Sequence, residues 1–146
     1  MPIDRALISK KLDFLNEQLT KVERMEFDVT ELTENADIHD LIVFRLQQAV
    51  ETAIDIAVHI ISQLPIPRKE TAKDAFLLLG QEGVIDKELS GKMGKAADFR
   101  NRVVHGYNDF DWRILFKDYR DDLADLRNFG AQIVSFLDSP KFGSSG

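Results

Sequence analysis

Arg100 and His105 are the residues of this chain whose types and spacing suit chemistry on a phosphodiester; they lie within Asp98-Phe99-Arg100-Asn101-Arg102-Val103-Val104-His105-Gly106-Tyr107. Cleaving RNA without a metal makes three demands. The 2′-hydroxyl must lose a proton, the pentacovalent phosphorus gains negative charge, and the 5′-oxygen must leave protonated. A histidine titrates near neutral pH and can take or give such a proton. An arginine stays charged and offers a planar fork of donors to phosphate oxygens. Stabilising developing charge is often the largest catalytic contribution, so the arginine counts as much as the histidine.

Their spacing sets a geometric condition. On a regular helix at about 100° per residue, five positions put the two side chains about 140° apart. They converge if the helix ends near Val104 and Gly106 turns the chain, since glycine accepts a left-handed turn. Alternatively, they meet counterparts from a second subunit. Taken singly, the same residues have plainer readings. A helix-end histidine favours the helix dipole, and Arg-Asn-Arg makes a solvated face. Asp98 reads as a partner of Arg100 or of Arg102, the latter at ion-pair spacing on a helix.

With 146 residues, 44% of them hydrophobic and 30% charged, the chain fits a single soluble globular domain with a real core. We expect this domain over residues 1–138 and a flexible tail over 139–146. Cysteine is absent, which excludes disulfides, zinc-thiolate sites and cysteine nucleophiles and agrees with a cytoplasmic protein. No apolar run is long enough to span a bilayer, and the first residues lack the apolar segment of a secretory signal. The three histidines have no ligand spacing, so no metal or other cofactor is expected. The net charge of −6 argues against a protein that coats nucleic acid non-specifically. The charge is uneven, however: Glu26–Asp40 holds six acids and no Lys or Arg, whereas Asp86–Tyr107 holds five bases against three acids. A focused anion site in the second segment is compatible with that distribution.

The elements that position the motif read as helices. Leu7, Ile8, Leu12, Leu15, Leu19 and Val22 recur at helical steps over Ile3–Arg24. Glu26–Asn35 reads mainly as a connection, with Asn35 or Asp37 capping a second helix. That helix runs from about Asp37 to Leu64, lined by Leu41, Phe44, Val50, Ile54, Ala57, Val58 and Ile61, and is closed by Pro65 and Pro67. Its apolar residues reach nearly all faces, so it is buried on more than one side or engages a second subunit. A short helix over Thr71–Leu79 is ended by Gly80. The motif helix runs from Asp86 to about His105, with Gly91 and Gly94 as points of breakage or close packing. The last helix covers Trp112–Leu137. Asp109 and Asp111 read as a turn and cap, Phe110 and Trp112 as packing, His59 as a core or interface residue, and His39 as exposed. The expected fold class is all-α: four long helices plus a short one.

Arg100-x4-His105-x-Tyr107 resembles the RX4HXY motif of HepT-type toxins of the HEPN superfamily, and Asn101 matches the residue that usually follows the arginine. The likeness extends to Phe44–Glu51 and Ile54–Ile61, similar to the family's long second helix, and to Asp74-Ala75-Phe76 and Gly83-Val84-Ile85. The resemblance implies a HEPN-type bundle and a metal-independent endoribonuclease. It also implies a homodimer whose two motifs form a cleft at the interface. Arg100 and His105 would be the catalytic pair, supported by Asn101, Asp98 and Arg102. It further implies an MntA-like nucleotidyltransferase antitoxin that silences the toxin by transferring AMP to Tyr107; a phosphate-linked nucleotide there would block the cleft and repel RNA. The competing expectation is a non-catalytic helical subunit that binds a nucleotide or partners a nucleotidyltransferase.

Overall fold

A computed structural model of the chain describes residues 3–67, 71–106 and 110–139. Among them run six helices and no strand: α1 (Arg5–Glu23), α2 (Val29–Glu34), α3 (Ala36–Ser62), α4 (Ala72–Gln81), α5 (Lys87–Val104) and α6 (Trp112–Leu137). Each begins where a short oxygen-bearing side chain accepts from its first turn. Asp4 takes the N–H of Leu7, Asn35 those of Asp37 and Ile38, Thr71 that of Asp74, Asp86 that of Leu89 and Asp111 that of Arg113. These are the donors a helix start leaves unsatisfied.

Two expectations about elements need correction. Glu26–Asn35 is more than a connection, because Asp28 accepts from Glu31 N–H while the Glu31 carboxylate accepts from Asp28 N–H. This reciprocal capping box starts α2, which pins Leu32 into the core at 1% exposure. The bundle therefore holds two short helices. Gly80, in turn, does not end the short helix but lies inside α4, which stops only before Gly83 at φ +75. A Cβ at Gly80 would come within 2.6 Å of the Ser90 Cβ, so glycine is required there for close approach of α5. The Ser90 hydroxyl donates to the Phe76 carbonyl at 2.9 Å across the same contact.

α3 is the spine. Ile42, Leu46, Ala49, Ala53, Ile56 and Ile60 bury one side of it against the other helices. α1 lies antiparallel to it, with Lys11 paired to Asp55 near the middle and the Asp4 N–H reaching His59 at the end. α6 returns along α1, where Arg127 binds both oxygens of Glu23 and reaches Thr20. α5 runs antiparallel to α6, as Lys92–Asp125 at one end and Arg102–Phe110 at the other require. Several residues of the expected apolar stripes are left outside: Leu41, Phe44 and Val58 on α3 and Leu7 on α1 are exposed, as are Ile114 and Val134 on α6.

Candidate active site at the end of helix α5

α5 is unbroken from its Asp86 cap to Val104. Gly91 meets nothing within 4 Å, and a Cβ at Gly94 would touch only the Lys73 side chain, so neither glycine interrupts it. The helix is closed by His105, whose N–H donates to the Asn101 carbonyl at 3.0 Å, and by Gly106 at φ +91. Only glycine takes that left-handed conformation at low cost, and it ends the helix where the sequence spacing requires. His105 is left exposed at the tip. Tyr107 and Asp109 lie outside the described residues, so the expected modification site has no structural description.

Arg100 sits one turn before the helix end and points the other way, onto α3. Its Nη1 lies 3.3 Å from the Glu51 carboxylate, with only 24% of its side chain and 36% of that of Glu51 exposed. The Arg100 Nε is buried without a hydrogen-bond partner among the described residues. The guanidinium is thus held at its inner edge by a carboxylate from the spine helix. Glu51 was not singled out in the sequence: it falls on the same face of α3 as Leu41, Phe44 and Val58, but nothing local reveals that α5 crosses there. Within one chain, no hydrogen bond joins Arg100 to His105 among the described residues.

The supporting residues spread around the same turn. Asn101 is exposed and supplies the carbonyl that caps His105. Asp98 pairs with Lys73 of α4 at 3.1 Å, which corrects its reading as a partner of Arg100 or of Arg102; α4 packs antiparallel on α5 and brings the lysine to it. Arg102 lays its guanidinium 4.8 Å above the Phe110 ring. Phe110 in turn packs on Phe99 and Trp112, so both aromatics serve packing, as expected. Asp111 caps α6. His39 corrects an expectation: it is half-buried, with Nδ1 3.0 Å from the Leu32 carbonyl and its ring edge-on to Trp112 at 4.3 Å. His59 is half-buried and accepts from the Asp4 N–H, which makes it a structural tie between α3 and α1.

On the face of α5 away from Arg100, a groove of about 400 Å³ opens between α5 and α6. Lys92 closes one end, paired with Glu88 and Asp125, and Arg102 with Phe110 closes the other. Asp122 lines it. Its carboxyl is pushed up to about 6, first by desolvation, then by the neighbouring Asp118, Asp125 and Asp121, against a smaller opposing pull from Lys95.

The geometry has close relatives. The family model described as Ribonuclease HepT-like matches residues 15–133. The mRNA nuclease HepT of Shewanella oneidensis is 26% identical over 123 residues, covering 84% of this chain and 92% of the relative. The tRNA nuclease HepT of Aphanizomenon flos-aquae is 29% identical over 136 residues, covering 92% of both. Among solved structures, the tri-AMPylated Shewanella oneidensis HEPN toxin in complex with MNT antitoxin matches with a TM-score of 0.82 at 25% identity, over 90% of this chain and 99% of that one.

Proposed function

Because the chain belongs to the HepT-like ribonuclease family, we propose that it is the toxin of a toxin–antitoxin pair and cleaves RNA without a metal. The observation that carries this reading is the end of α5: the helix stops at Val104, Gly106 turns at φ +91, and an exposed His105 stands beyond an Arg100 braced by Glu51. In this scheme His105 takes the proton of the 2′-hydroxyl as that oxygen attacks phosphorus. A proton is returned to the 5′-oxygen as the phosphorus–oxygen bond breaks, leaving a 2′,3′-cyclic phosphate and a free 5′-hydroxyl. Arg100 holds the charge of the phosphorane. Asn101 positions the phosphate or Arg100, and Arg102 adds positive charge at the rim. Asp98, tied to Lys73, fixes the flank of the motif turn.

The active unit is a homodimer. Arg100 faces α3 while His105 projects past the helix end, so a complete cleft draws on two motif ends. Leu41, Phe44 and Val104 offer the apolar surface, at 39%, 57% and 52% exposure. The regulator is an MntA-like nucleotidyltransferase that transfers AMP from ATP to the Tyr107 phenol oxygen, releasing pyrophosphate. A related toxin carries three AMP groups in complex with its MNT antitoxin. No helix of the described residues is long and apolar enough to cross a membrane, and the site of action is the cytoplasm, where RNA is found.

The test is cleavage of RNA by the purified chain in EDTA beside His105→Ala. Loss of the imidazole should cost at least about 100-fold in rate at unchanged thermal stability. A variant that cuts at the wild-type rate overturns the mechanism, and a wild type that cuts nothing favours a non-catalytic subunit. Mass spectrometry after co-expression with the nucleotidyltransferase should find AMP increments on Tyr107 that Tyr107→Phe lacks.

A further inference from the structure

Gly106 by itself cannot aim a reacting histidine. Its φ of +91 ends α5, but glycine takes either sign of φ almost equally well, so such a turn is set by what holds the chain on either side of it. On one side α5 does this, through the His105 N–H on the Asn101 carbonyl at 3.0 Å. The His105 ring is exposed, and among the described residues no hydrogen bond holds it. The direction in which the imidazole leaves the helix therefore depends on where the chain is fixed beyond the turn.

Among the described residues, the first fixed point beyond Gly106 is Phe110, four positions on. Two helices grip it. From α5, Phe99 meets its ring edge-on at 5.7 Å and the Arg102 guanidinium lies 4.8 Å over it. From the start of α6, Trp112 packs on it at 4.5 Å. Trp112 is gripped in turn by His39 of α3, whose ring meets it at 81° and 4.3 Å. The His39 Nδ1 lies 3.0 Å from the Leu32 carbonyl. A carbonyl brings no proton, so Nδ1 carries it, and that bond fixes the rotation of the imidazole. Leu32 is 1% exposed, held in the core by α2. Contacts thus run without a gap from the core, through Leu32, His39, Trp112 and Phe110, to the tip of α5.

We propose that Trp112 and His39 are positioning residues for RNA cleavage: by holding Phe110 they fix the path of the chain beyond Gly106, and with it the direction of the His105 imidazole. Neither touches RNA; both act through the turn. The inference rests on the nuclease reading above and adds to it the part of the fold that aims the base. It also gives α2 a task, since that helix places the carbonyl that orients His39. Rings that only packed would lower stability when removed and leave each folded molecule as active as before.

The experiment measures kcat and KM for cleavage of a single-stranded RNA in EDTA by Trp112→Ala, Trp112→Phe and His39→Ala, well below the thermal midpoint of each. Trp112→Ala should lower kcat by about 10- to 100-fold, because misalignment of a reacting group is costly. KM should stay within about 2-fold, since the contacts that bind RNA remain. Trp112→Phe keeps a ring between His39 and Phe110 and should recover most of the loss. His39→Ala should lower kcat by about 10-fold. Trp112 is the only tryptophan of the chain, so the same variant should shift its emission to the red and expose it to acrylamide quenching. Adding Trp112→Ala to His105→Ala should slow cleavage no further, since misplacement matters only while the imidazole is present.

Unchanged kcat in folded Trp112→Ala and His39→Ala overturns the proposal and leaves the nuclease reading intact. So does a loss that persists in full without His105, or a tryptophan emission that ignores His39→Ala. Should Trp112→Ala fail to fold, His39→Ala decides, alone and combined with His105→Ala. A wild type that cuts no RNA removes the nuclease reading and this inference together.

Discussion

Glu51 illustrates how one carboxylate can set the orientation of an arginine, here the one proposed to hold the charge of the phosphorane. With its Nη1 3.3 Å from Glu51 and its Nε buried, Arg100 is held in one orientation rather than sampling solvent. Replacing Glu51 by Gln keeps the shape and removes the charge. We expect kcat/KM for RNA cleavage to fall by about 10- to 100-fold, because small losses of alignment at a reacting group are costly. Measuring cleavage alongside the thermal midpoint checks this; a fall in stability with unchanged activity at a permissive temperature would make Glu51 a structural brace only. Asp122 carries a second residue-scale prediction. Its folded carboxyl sits at about 6 against 3.8 for the ordinary group, so the fold favours its protonated form. The stability this contributes is full below pH about 4 and is lost as pH rises through 6. Asp122→Asn removes that loss. After discounting for solvent screening, it should stabilise the protein by about 1 kcal/mol at pH 7.5 and hardly at all at pH 4, read as a pH-dependent difference in thermal midpoint. The Glu23 carboxyl is held below its ordinary range chiefly by its hydrogen bonds to Arg127, so its contribution runs oppositely and fades on acidification.

Helices α4 and α5 show why glycines that look alike in sequence behave differently. Gly80 is wedged against the side chain of Ser90, whereas Gly91, on the outer face of α5, has nothing within 4 Å. Gly80→Ala should destabilise the fold by about 1–3 kcal/mol, since α5 must back away or the backbone must shift. Gly91→Ala should stabilise it by about 0.5–1 kcal/mol, because alanine loses less entropy in a helix. Chemical denaturation of the two variants separates them by sign; equal effects would contradict the packing at Gly80. Much of the element order was legible, since the 3.6-residue stripes and the Asx caps sit where the boundaries fall. What escaped was α2, six residues in an acidic stretch whose Asp28-x-x-Glu31 spacing is a capping signal too short for periodicity to register. Also missed was the recurrence of Asp118, Asp121, Asp122 and Asp125 at three- and four-residue steps, which places four carboxylates along one side of α6.

For the whole molecule, the bundle covers one face of its spine helix only in part, where α5 crosses at Glu51. Leu41, Phe44 and Val58 are exposed on the face of α3 that also carries Glu51, and Val104 is exposed one turn beyond Arg100. An apolar strip beside a charged motif suits a second copy of the chain, because the same contact would bury the strip and bring two motif ends together. If the active unit is the proposed homodimer, Phe44→Glu should leave the protein monomeric at micromolar concentration where the wild type is dimeric, and cleavage should fall with it. Sedimentation velocity run beside the RNA assay checks both. A variant that stays dimeric places the interface elsewhere, and a monomer that retains full activity separates cleavage from dimerisation.

What the amino-acid order determined by itself was local: helix periods, capping side chains, and a histidine five residues after an arginine with a glycine behind it. Those features depend on neighbours within a turn or two, and hydrogen bonding along the chain enforces them wherever the chain folds. Which charges meet was decided only by the packing. Arg100 takes its partner from α3 and Asp98 from α4, while the α6 carboxylates close a groove against α5. Each of those pairings joins residues at least 20 positions apart, brought together because burying the apolar faces of six helices leaves few ways to set them side by side.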